Sequence, residues 1–540
     1  MIFTVFGRVG PLTRVERWGL VAALLLAAAL MAPLQDYLTD DTFIHLQYAR
    51  NLAEGRGLVF NPGERVYGCT SPLWVALLAD GIALGFDGLQ TARVLGMLAT
   101  LWSVVLFLQL MRRNLKTPAV RAVATVAWAG HAWMLRWSLS GMETPLVVAL
   151  TLAGFVAFTE GKEWGARPMR TGALWALAAL ARPEAALLLV LWGAFLLVDA
   201  DSRAGLRRLV FGALPPLAIY GSWLLFAGLY FGSFLPQTLV AKAAGPAGLV
   251  DHLANLWRQV SIMGATDGIM AAVLVAALVV GRRSVWTWRP ATQRAQRLLP
   301  WVWIVAVPLL YVARGVPVLS RYLLPLLPVL SWLAWRAGEC WSLTAPAGSP
   351  AGADAAAAPS PQRVRRTVVL ATALAALVLA QNLAVYRVKV LPQVHSFSAG
   401  LRQSLIPMGR WIERHTPPDA MVAAPDIGAL GYFGHRRILD LGGLVTPAMV
   451  PHLLRESPEE ATANFRFASF ARPGYILDRG PRPDDLRLRS RYAAALTPLR
   501  LASVPNLGIA RPLPAYYTLY RVDWAVVDSL GLPAPTGRNR

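Results

Sequence analysis

Two adjacent carboxylates, Asp40 and Asp41, stand where a long apolar segment gives way to polar sequence. Residues 16–33 are hydrophobic over a length that can cross a bilayer, so the pair is expected where this first helix leaves the membrane. Ionisable side chains at a membrane boundary are costly and often functional. A carboxylate in this position could take a proton from a hydroxyl group as that hydroxyl attacks a substrate carbon. The same pair could also serve only to cap the following helix.

The segment after the acidic pair has the pattern of a helix lying along a membrane surface. Ile44, Tyr48 and Leu52 recur four residues apart, and polar residues occupy the other faces. Residues 72–86 are also apolar, but they are too few to span a bilayer comfortably and include Asp80. The sequence therefore predicts two interfacial helices in the first outer loop.

Cationic side chains on other outer loops could meet a negatively charged leaving group. Lys242 lies among apolar and small residues, and Arg321 opens a later span next to Tyr322. A cation near the ends of membrane helices is costly unless an anion is available, which makes a phosphate a candidate ligand for both. Each could instead be an interfacial anchor whose stem lies in the membrane.

Two further polar residues allow both a functional and a structural interpretation. Glu143 is a third acid at a predicted membrane boundary, where it could bind substrate or pair with Arg136 or Arg182. His45 follows Asp41 by four residues, but one carboxylate and one imidazole make a poor metal site. We therefore predict no metal site and interpret His45 as a solvated histidine.

These residues need a membrane-spanning scaffold to hold them. The chain has 540 residues, of which 56% are hydrophobic and 15% charged, and its mean hydropathy is +0.46. Such a composition excludes a soluble multidomain protein and predicts a polytopic α-helical membrane protein. About eleven transmembrane helices are predicted, near residues 17–34, 93–111, 119–135, 144–159, 169–182, 184–199, 209–227, 266–281, 298–313, 318–335 and 367–386.

The distribution of basic residues predicts the orientation of this scaffold. Between the predicted spans, 22 Lys and Arg fall in inner segments and 10 in outer loops, which favours a cytoplasmic N-terminus and an extracytoplasmic C-terminus. The same asymmetry accounts for the net charge of +22 without a nucleic-acid partner. The inner loops contain neither a P-loop nor a glycine-rich dinucleotide motif, so no active site is predicted there.

Composition divides the chain into two predicted domains. Residues 1–387 form the transmembrane domain, with residues 35–92 as its first outer loop. Residues 338–362 are rich in Ala, Pro, Gly and Ser and predict a disordered inner linker. Residues 388–540 alternate short apolar runs with Pro, Gly and charged turns, which predicts a C-terminal α/β outer domain.

The first-loop sequence resembles the first outer loop of GT-C fold glycosyltransferases. The pattern runs from Asp40-Asp-Thr-Phe-Ile through Gly-Leu-Val-Phe-Asn-Pro-Gly-Glu-Arg-Val to Pro-Leu-Trp74. It is most similar to the bacterial arabinofuranosyltransferase-like and mannosyltransferase-like members. Shorter matches occur at residues 140–145 (Ser-Gly-Met-Glu-Thr-Pro), 182–184 (Arg-Pro-Glu), 236–242 (Pro-Gln-Thr, Ala-Lys), 320–325 (Ser-Arg-Tyr-x2-Pro), 426–432 and 440–444.

The resemblance implies transfer of a sugar from a polyprenyl-phosphate carrier to a cell-envelope acceptor on the outer face. A direct, inverting displacement needs one base, which the resemblance puts at Asp40, with Asp41 as its acidic partner. Lys242, Arg321 and Tyr322 are the predicted donor-phosphate residues. No cofactor is firmly implied, and a divalent cation stays open because metal dependence differs among relatives. The residues assigned as substrate-binding or structural are Glu143, His45, Tyr48 and Gln237.

Several alternatives remain at this point. The rival class is a transporter or flippase of a lipid-linked glycan, although such proteins tend to place polar groups near the midplane rather than at helix ends. Within the enzyme class, the resemblance leans toward arabinofuranose, with mannose or aminoarabinose as other donors and a lipid or a protein as other acceptors. The expected location is the bacterial inner membrane.

Overall fold

The computed structural model describes residues 10–160, 165–200, 202–242, 248–280, 296–315, 317–343, 360–505 and 513–531. Most of this part of the chain is helical. Five helical segments in it are long and apolar enough to cross a membrane, namely Arg14–Leu34, Gly88–Asn114, Arg203–Phe231, Leu249–Val279 and Pro361–His415. Shorter apolar helices are Pro72–Ala83, Thr144–Phe158, Pro183–Val198 and Leu299–Ala313.

The helices of the N-terminal half begin at residues that suit a helix start. Thr13 and Glu16 form a capping box, Thr39 caps the second helix through the Thr42 N–H, and Asp87 caps the fourth. The bounds are α1 (Arg14–Met31), α2 (Asp40–Ala53), α3 (Pro72–Ala83), α4 (Gly88–Asn114), α5 (Pro118–Ala129), α6 (Ala132–Ser138), α7 (Thr144–Phe158), α8 (Pro168–Ala181), α9 (Ala186–Val198), α10 (Arg203–Pro216), α11 (Ser222–Phe231) and α12 (Gln237–Lys242).

The second half of the chain adds further long helices and then a region of short elements. Its helices are α13 (Leu249–Val280), α14 (Leu299–Ala313), α15 (Ser320–Leu323), α16 (Leu327–Leu343), α17 (Pro361–Val385), α18 (Leu391–Gln403), α19 (Leu405–His415), α20 (Gly428–Gly434), α21 (Val450–Leu453), α22 (Pro458–Ala463), α23 (Asp485–Arg489) and α24 (Trp524–Ser529).

Every predicted span overlaps a helix, but several of these helices are short or broken. The segment 119–135 is divided at His131 between α5 and α6, and the segment 318–335 is divided between α15 and α16. The predicted break at Arg182-Pro183-Glu184 is confirmed, because α8 ends at Ala181 and a 3-10 turn precedes α9. The multi-pass helical architecture is thus present, whereas the number of crossings stays a prediction.

The ends of the predicted linker need correction, whereas the division into two domains stays a prediction. Helix α16 continues to Leu343 and α17 begins at Pro361, so both ends of the predicted linker 338–362 are helical. Its centre, residues 344–359, lies outside the described part of the chain. The predicted boundary after residue 387 falls inside a π-helical turn, Tyr386–Val390, which joins α17 to α18 without a gap.

Five strands form one mixed sheet in the C-terminal region. They are β1 (Met421–Ala424), β2 (Arg437–Asp440), β3 (Tyr475–Gly480), β4 (Leu496–Val504) and β5 (Ala515–Val522), in the order β2-β1-β3-β5-β4. Strand β1 is parallel to β2 and β3, with Met421 opposite Arg437, whereas β5 is antiparallel to β3 and β4. Side chains alternate between the faces, so the sheet has two separate apolar layers.

One layer of the sheet shares its core with the first loop. Val422, Ala424 and Leu477 pack in the same apolar cluster as Phe43 and Leu46 of α2, and all five are buried. Fully burying a large apolar side chain contributes roughly 1.5–3 kcal/mol, so several such residues fix the sheet region against α2. This contact determines where the acidic pair points.

Candidate active site

The two carboxylates of the acidic pair point to different partners. The Asp40 carboxylate accepts hydrogen bonds from the backbone N–H groups of Gly428 (3.0 Å) and Ala429 (2.8 Å), at the start of α20. The Asp41 carboxylate accepts a hydrogen bond from the Arg321 guanidinium at 2.6 Å. Successive helical residues lie about 100° apart around the axis, so neighbours in sequence reach separate elements.

Asp41, and not Asp40, faces a cavity of about 100 Å³, which we call the Asp41 cavity. Asp40 is partly buried and satisfied by two N–H donors at a helix N-terminus, where a carboxylate is stabilised. Thr39, and neither acid of the pair, caps α2, so the predicted capping of that helix by the acids is not what the structure shows; Asp40 instead binds the first N–H groups of α20. Asp40 does not line the Asp41 cavity, and its predicted role as the base stays a prediction.

Distant parts of the chain form the wall of the Asp41 cavity. Helix α2, the turn between α8 and α9, the end of α14, α15 and the loop after β2 all contribute. The lining residues are Asp41, Ile44, His45, Gly68, Thr70, Met142, Glu143, Arg182, Pro183, Glu184, Thr238, Leu239, Tyr311, Arg314, Arg321, Tyr322, Leu444 and Val445. The sequence motifs thus converge, since the wall includes residues from the matches at 140–145, 182–184, 236–242, 320–325 and 440–444.

Arg321 is buried and oriented by aromatic rings. Its guanidinium lies 5.4 Å from the Trp137 ring centroid and 5.2 Å from that of Tyr322. The Trp137 indole N–H donates to the Ser320 hydroxyl at 2.9 Å, which fixes the turn carrying Arg321. The Nε atom of Arg321 is buried without a hydrogen-bond partner, so one edge of the guanidinium is available to a ligand while another binds Asp41.

A second ionic network in the cavity wall is centred on Arg182. Arg182 donates to Glu143 at 2.8 Å and to Glu184 at 2.9 Å, and the Tyr311 hydroxyl also donates to Glu184 at 2.8 Å. The predicted pairing of Glu143 with Arg182 is confirmed. Arg136 is not its partner, because that guanidinium bonds Gln393 instead. Buried charges need such compensation, so this network keeps the wall rigid.

His45 is buried, so its predicted solvated environment is wrong. Its Nδ1 atom lies 3.8 Å from Oε2 of Glu143, and each of these two atoms is buried without a hydrogen-bond partner. Burial lowers the pKa of His45, which favours the neutral imidazole at pH 7. Both atoms have unused hydrogen-bonding capacity, and both residues line the Asp41 cavity.

The remaining predicted residues have different positions. Tyr322 lines the cavity and stacks on Tyr311 with ring centroids 5.4 Å apart. Tyr48 lies in the core below, where its hydroxyl donates to the Val66 carbonyl at 3.4 Å. Gln237 is the first residue of α12 and lies next to the cavity-lining Thr238 without lining the cavity itself. Lys242 ends α12, and because its side chain lies outside the described part, its role stays a prediction.

Arg314 is a cavity residue that the sequence analysis missed. It donates to the Leu239 carbonyl at 3.3 Å and has no carboxylate partner among the described residues. A signal was present, because Arg314 is a cation in the predicted outer loop just before Arg321. In the described residues no three His, Cys, Asp or Glu side chains are grouped to hold a metal ion.

Comparisons with known proteins place the chain beside membrane glycosyltransferases. Residues 395–520 match a family model described as a domain of unknown function, DUF8728. The chain is 30% identical over 249 residues to a terminal β-(1→2)-arabinofuranosyltransferase of Corynebacterium glutamicum, covering 39% of this chain and 34% of that protein. The enzyme of the same name from Mycobacterium tuberculosis is 30% identical over 256 residues, covering 43% and 39%. The match thus spans less than half of either relative.

Solved structures extend the likeness over nearly the whole chain. ArnT from Cupriavidus metallidurans bound to undecaprenyl phosphate aligns with a TM-score of 0.56 at 14% identity, covering 93% of this chain and 98% of that one. The archaeal oligosaccharyltransferase AglB from Archaeoglobus fulgidus, in complex with an inhibitory peptide and a dolichol-phosphate, aligns with a TM-score of 0.53 at 12% identity, covering 86% and 70%. At such identities the likeness shows the fold. The chain is therefore a multi-pass membrane protein with the GT-C fold of these membrane glycosyltransferases.

Proposed function

We propose that this protein is a membrane glycosyltransferase that moves a sugar from a polyprenyl-phosphate carrier to an acceptor hydroxyl in the Asp41 cavity. One observation carries the proposal: the Asp41 carboxylate is hydrogen-bonded to the Arg321 guanidinium in a cavity that Arg182 and Arg314 also line. The names of the partial relatives, arabinofuranosyltransferases, support the reaction class. The undecaprenyl phosphate in the ArnT structure supports the type of carrier.

Asp41 is the proposed general base in place of Asp40. Its carboxylate would take the proton of the acceptor hydroxyl while the hydroxyl oxygen attacks the anomeric carbon of the sugar. The bond from that carbon to the phosphate oxygen breaks on the opposite side, so the configuration inverts and the polyprenyl phosphate leaves with the bonding electron pair. One carboxylate is sufficient for this single displacement.

Arg321 and Arg314 are the proposed binders of the leaving phosphate. Negative charge grows on the phosphate oxygens as the bond to the sugar breaks, and fixed guanidinium groups stabilise that charge. Arg321 is held by Trp137 and Tyr322 and has a free Nε–H edge, while Arg314 lacks a carboxylate partner in the described part. Tyr322 and Lys242 remain proposed members of the same subsite.

His45 and Glu143 are the proposed acceptor-positioning residues. Their unsatisfied atoms, 3.8 Å apart, could respectively donate to and accept from sugar hydroxyl groups. We further propose arabinofuranose as the donor sugar, following the partial relatives, and a cell-envelope glycan on the extracytoplasmic face of the inner membrane as acceptor. Mannose and aminoarabinose are the competing donors to be tested.

The test is a transfer assay on the purified full-length protein. Decaprenyl-phosphate carriers of arabinofuranose, mannose and aminoarabinose are offered with an arabinofuranosyl oligosaccharide acceptor, with and without EDTA. Mass spectrometry detects the product and NMR its anomeric configuration. We expect transfer from the arabinofuranose donor with inversion. Movement of lipid-linked glycan across vesicles without transfer from any donor would refute the enzyme and support a flippase.

A further inference from the structure

A second cavity, of about 830 Å³, lies at the other end of α8 from the Asp41 cavity. Arg182 follows the last residue of α8 and faces the Asp41 cavity, whereas Arg167 precedes the first residue and lines the second one. A helix of 14 residues is about 21 Å long, so the two cavities are well separated. We call the second one the basic cavity, since arginines dominate its lining. They are Arg167, Arg170, Arg203, Arg207 and Arg208.

The basic cavity forms where α8 begins beside α10. Pro168 and then Gly172 of α8 approach Gly212 and then Pro216 of α10, so the two helices run parallel and the start of α8 is level with Gly212. Neither helix has an acidic residue in its first turn. Helix N-termini carry partial positive charge and disfavour nearby cations, so grouping arginines here is unfavourable unless an anion lies among them.

The charge of the cavity is only partly compensated. Glu160 accepts from Arg170 at 3.0 Å and lies 4.0 Å from Arg167. Arg203 and Arg207 are exposed and have no carboxylate partner in the described part of the chain, and the Arg207 guanidinium lies 5.4 Å from the Phe211 ring. Several guanidinium donors therefore remain to bind oxygen atoms of a ligand, in the geometry that suits phosphate.

The surroundings of the cavity identify the rest of that ligand. Leu206, Val210 and Leu214 follow one another at four-residue spacing along α10 and are 54%, 49% and 48% exposed. Met169, at the cavity itself, is 51% exposed. A continuous apolar face on a membrane helix is covered by lipid tails, so the arginines lie at the level where headgroups begin.

We propose that the basic cavity binds the phosphate headgroup of an anionic glycerophospholipid whose acyl chains lie along α10. The sequence predicts this end of the bundle to be cytoplasmic, where anionic lipids and basic clusters meet. The site is independent of the transfer reaction, because it shares no lining residue with the Asp41 cavity.

Native mass spectrometry of the full-length protein in detergent can test this. The lipids are cardiolipin, phosphatidylglycerol and, as a zwitterionic control, phosphatidylcholine. The test variant is Arg203→Gln/Arg207→Gln, and the matched control is Arg365→Gln/Arg366→Gln, an exposed pair at the start of α17 with the same charge change. Each basic residue near a headgroup favours binding appreciably, so we expect retention of the two anionic lipids to fall about 10-fold or more in the test variant only.

Four outcomes would overturn the proposal. If the control variant loses as much bound anionic lipid as the test variant, the lipid is held by general attraction to the basic surface. If phosphatidylcholine is retained as well as the anionic lipids, the cavity does not recognise the headgroup. Displacement of the lipid by inorganic phosphate or pyrophosphate at equal concentration would assign the arginines to a soluble anion. If the double variant is not monodisperse in size-exclusion chromatography, the single variants Arg203→Gln and Arg207→Gln are compared, and lipid retention unchanged in both would also contradict the site.

Discussion

The Asp40 carboxylate meets the backbone N–H of Gly428 at 3.0 Å across 388 positions of the chain. A Cβ atom on Gly428 would lie only 1.9 Å from the Asp40 carbonyl oxygen, so the two backbones are in direct contact. Phe43 reinforces the contact by packing on Tyr432 and Phe433, with ring centroids 5.6 Å and 5.1 Å away. The first loop and the sheet region thus hold one another, and this contact leaves Asp41 to face the cavity.

Replacing Gly428 with alanine should separate α20 from α2. The added methyl group meets backbone atoms that cannot move aside, so we expect a loss of roughly 1–3 kcal/mol in the free energy of unfolding and reduced transfer activity. The control is Gly434→Ala at the other end of α20, where the nearest atom to a Cβ is 3.6 Å away and helix propensity improves. Thermal unfolding in detergent measures both, and equal melting temperatures would contradict the close contact.

Asparagine substitutions should distinguish the roles of the acidic pair. Asp41→Asn removes the proposed base and should lower kcat about 10²–10⁴-fold; it also removes the charged partner of the buried Arg321, so a loss of stability is expected as well. Asp40→Asn keeps one acceptor oxygen for α20 but leaves one of the two N–H donors without its acceptor, so we expect a stability loss of about 1 kcal/mol and a smaller activity loss. Steady-state kinetics and thermal unfolding of both variants provide the comparison. A larger loss of kcat in Asp40→Asn than in Asp41→Asn would restore Asp40 as the base.

Features of the site that depend on residues close together in sequence could be predicted, whereas those that depend on contacts between distant elements could not. The break at Arg182-Pro183-Glu184 was predictable because proline disfavours helix at the preceding residue, and the structure ends α8 at Ala181. The resemblance also assigned Arg321 to the donor phosphate and Glu143 to a substrate-binding or structural role, and both residues line the Asp41 cavity with Asp41. Short patterns in the sequence carried this information.

Which of the two acids would face the cavity could not be predicted in the same way. Asp40 and Asp41 are chemically identical neighbours, and the choice between them depends on where α20 docks, which no local pattern contains. The burial of His45 has the same origin, since a residue on a polar face of α2 is covered by other elements of the fold. Arg314 was overlooked because a cation in a loop becomes informative only when its neighbours in space are known.

The contact at Asp40 should also make stability depend on pH. Burial, reinforced by the nearby Asp426 and Asp41, raises the pKa of Asp40 to about 7 from 3.8, against the lowering effect of the Gly428 and Ala429 N–H groups. The folded state therefore binds this proton more tightly than the unfolded state, and the contribution of Asp40 to stability declines as pH rises from about 4 to about 7.

Melting temperatures at pH 5 and pH 7.5 test whether stability falls as the pH rises. We expect the wild type to melt a few degrees lower at pH 7.5, and Asp40→Asn, which cannot ionise, to lose part of the difference. Burial raises the pKa of Asp440 to about 6, so some decline should remain in the variant. Asp419→Asn, at an exposed aspartate, serves as control and should follow the wild type. A melting temperature that rises toward pH 7.5 would contradict the prediction.

Arg314 provides the sharpest test of the proposed phosphate subsite, because the resemblance did not single it out. Arg314→Gln keeps much of the side-chain length and a donor but removes the charge, so we expect kcat/KM for the lipid-linked donor to fall about 10–100-fold, as for one charged hydrogen bond. The matched control is Arg500→Gln, an exposed arginine on β4, which should stay within about twofold. Among the described residues the Arg314 side chain makes one hydrogen bond, to the Leu239 carbonyl, so its loss should leave the melting temperature nearly unchanged. An unaltered kcat/KM would remove Arg314 from the site and leave Arg321 and Lys242 as the proposed phosphate ligands.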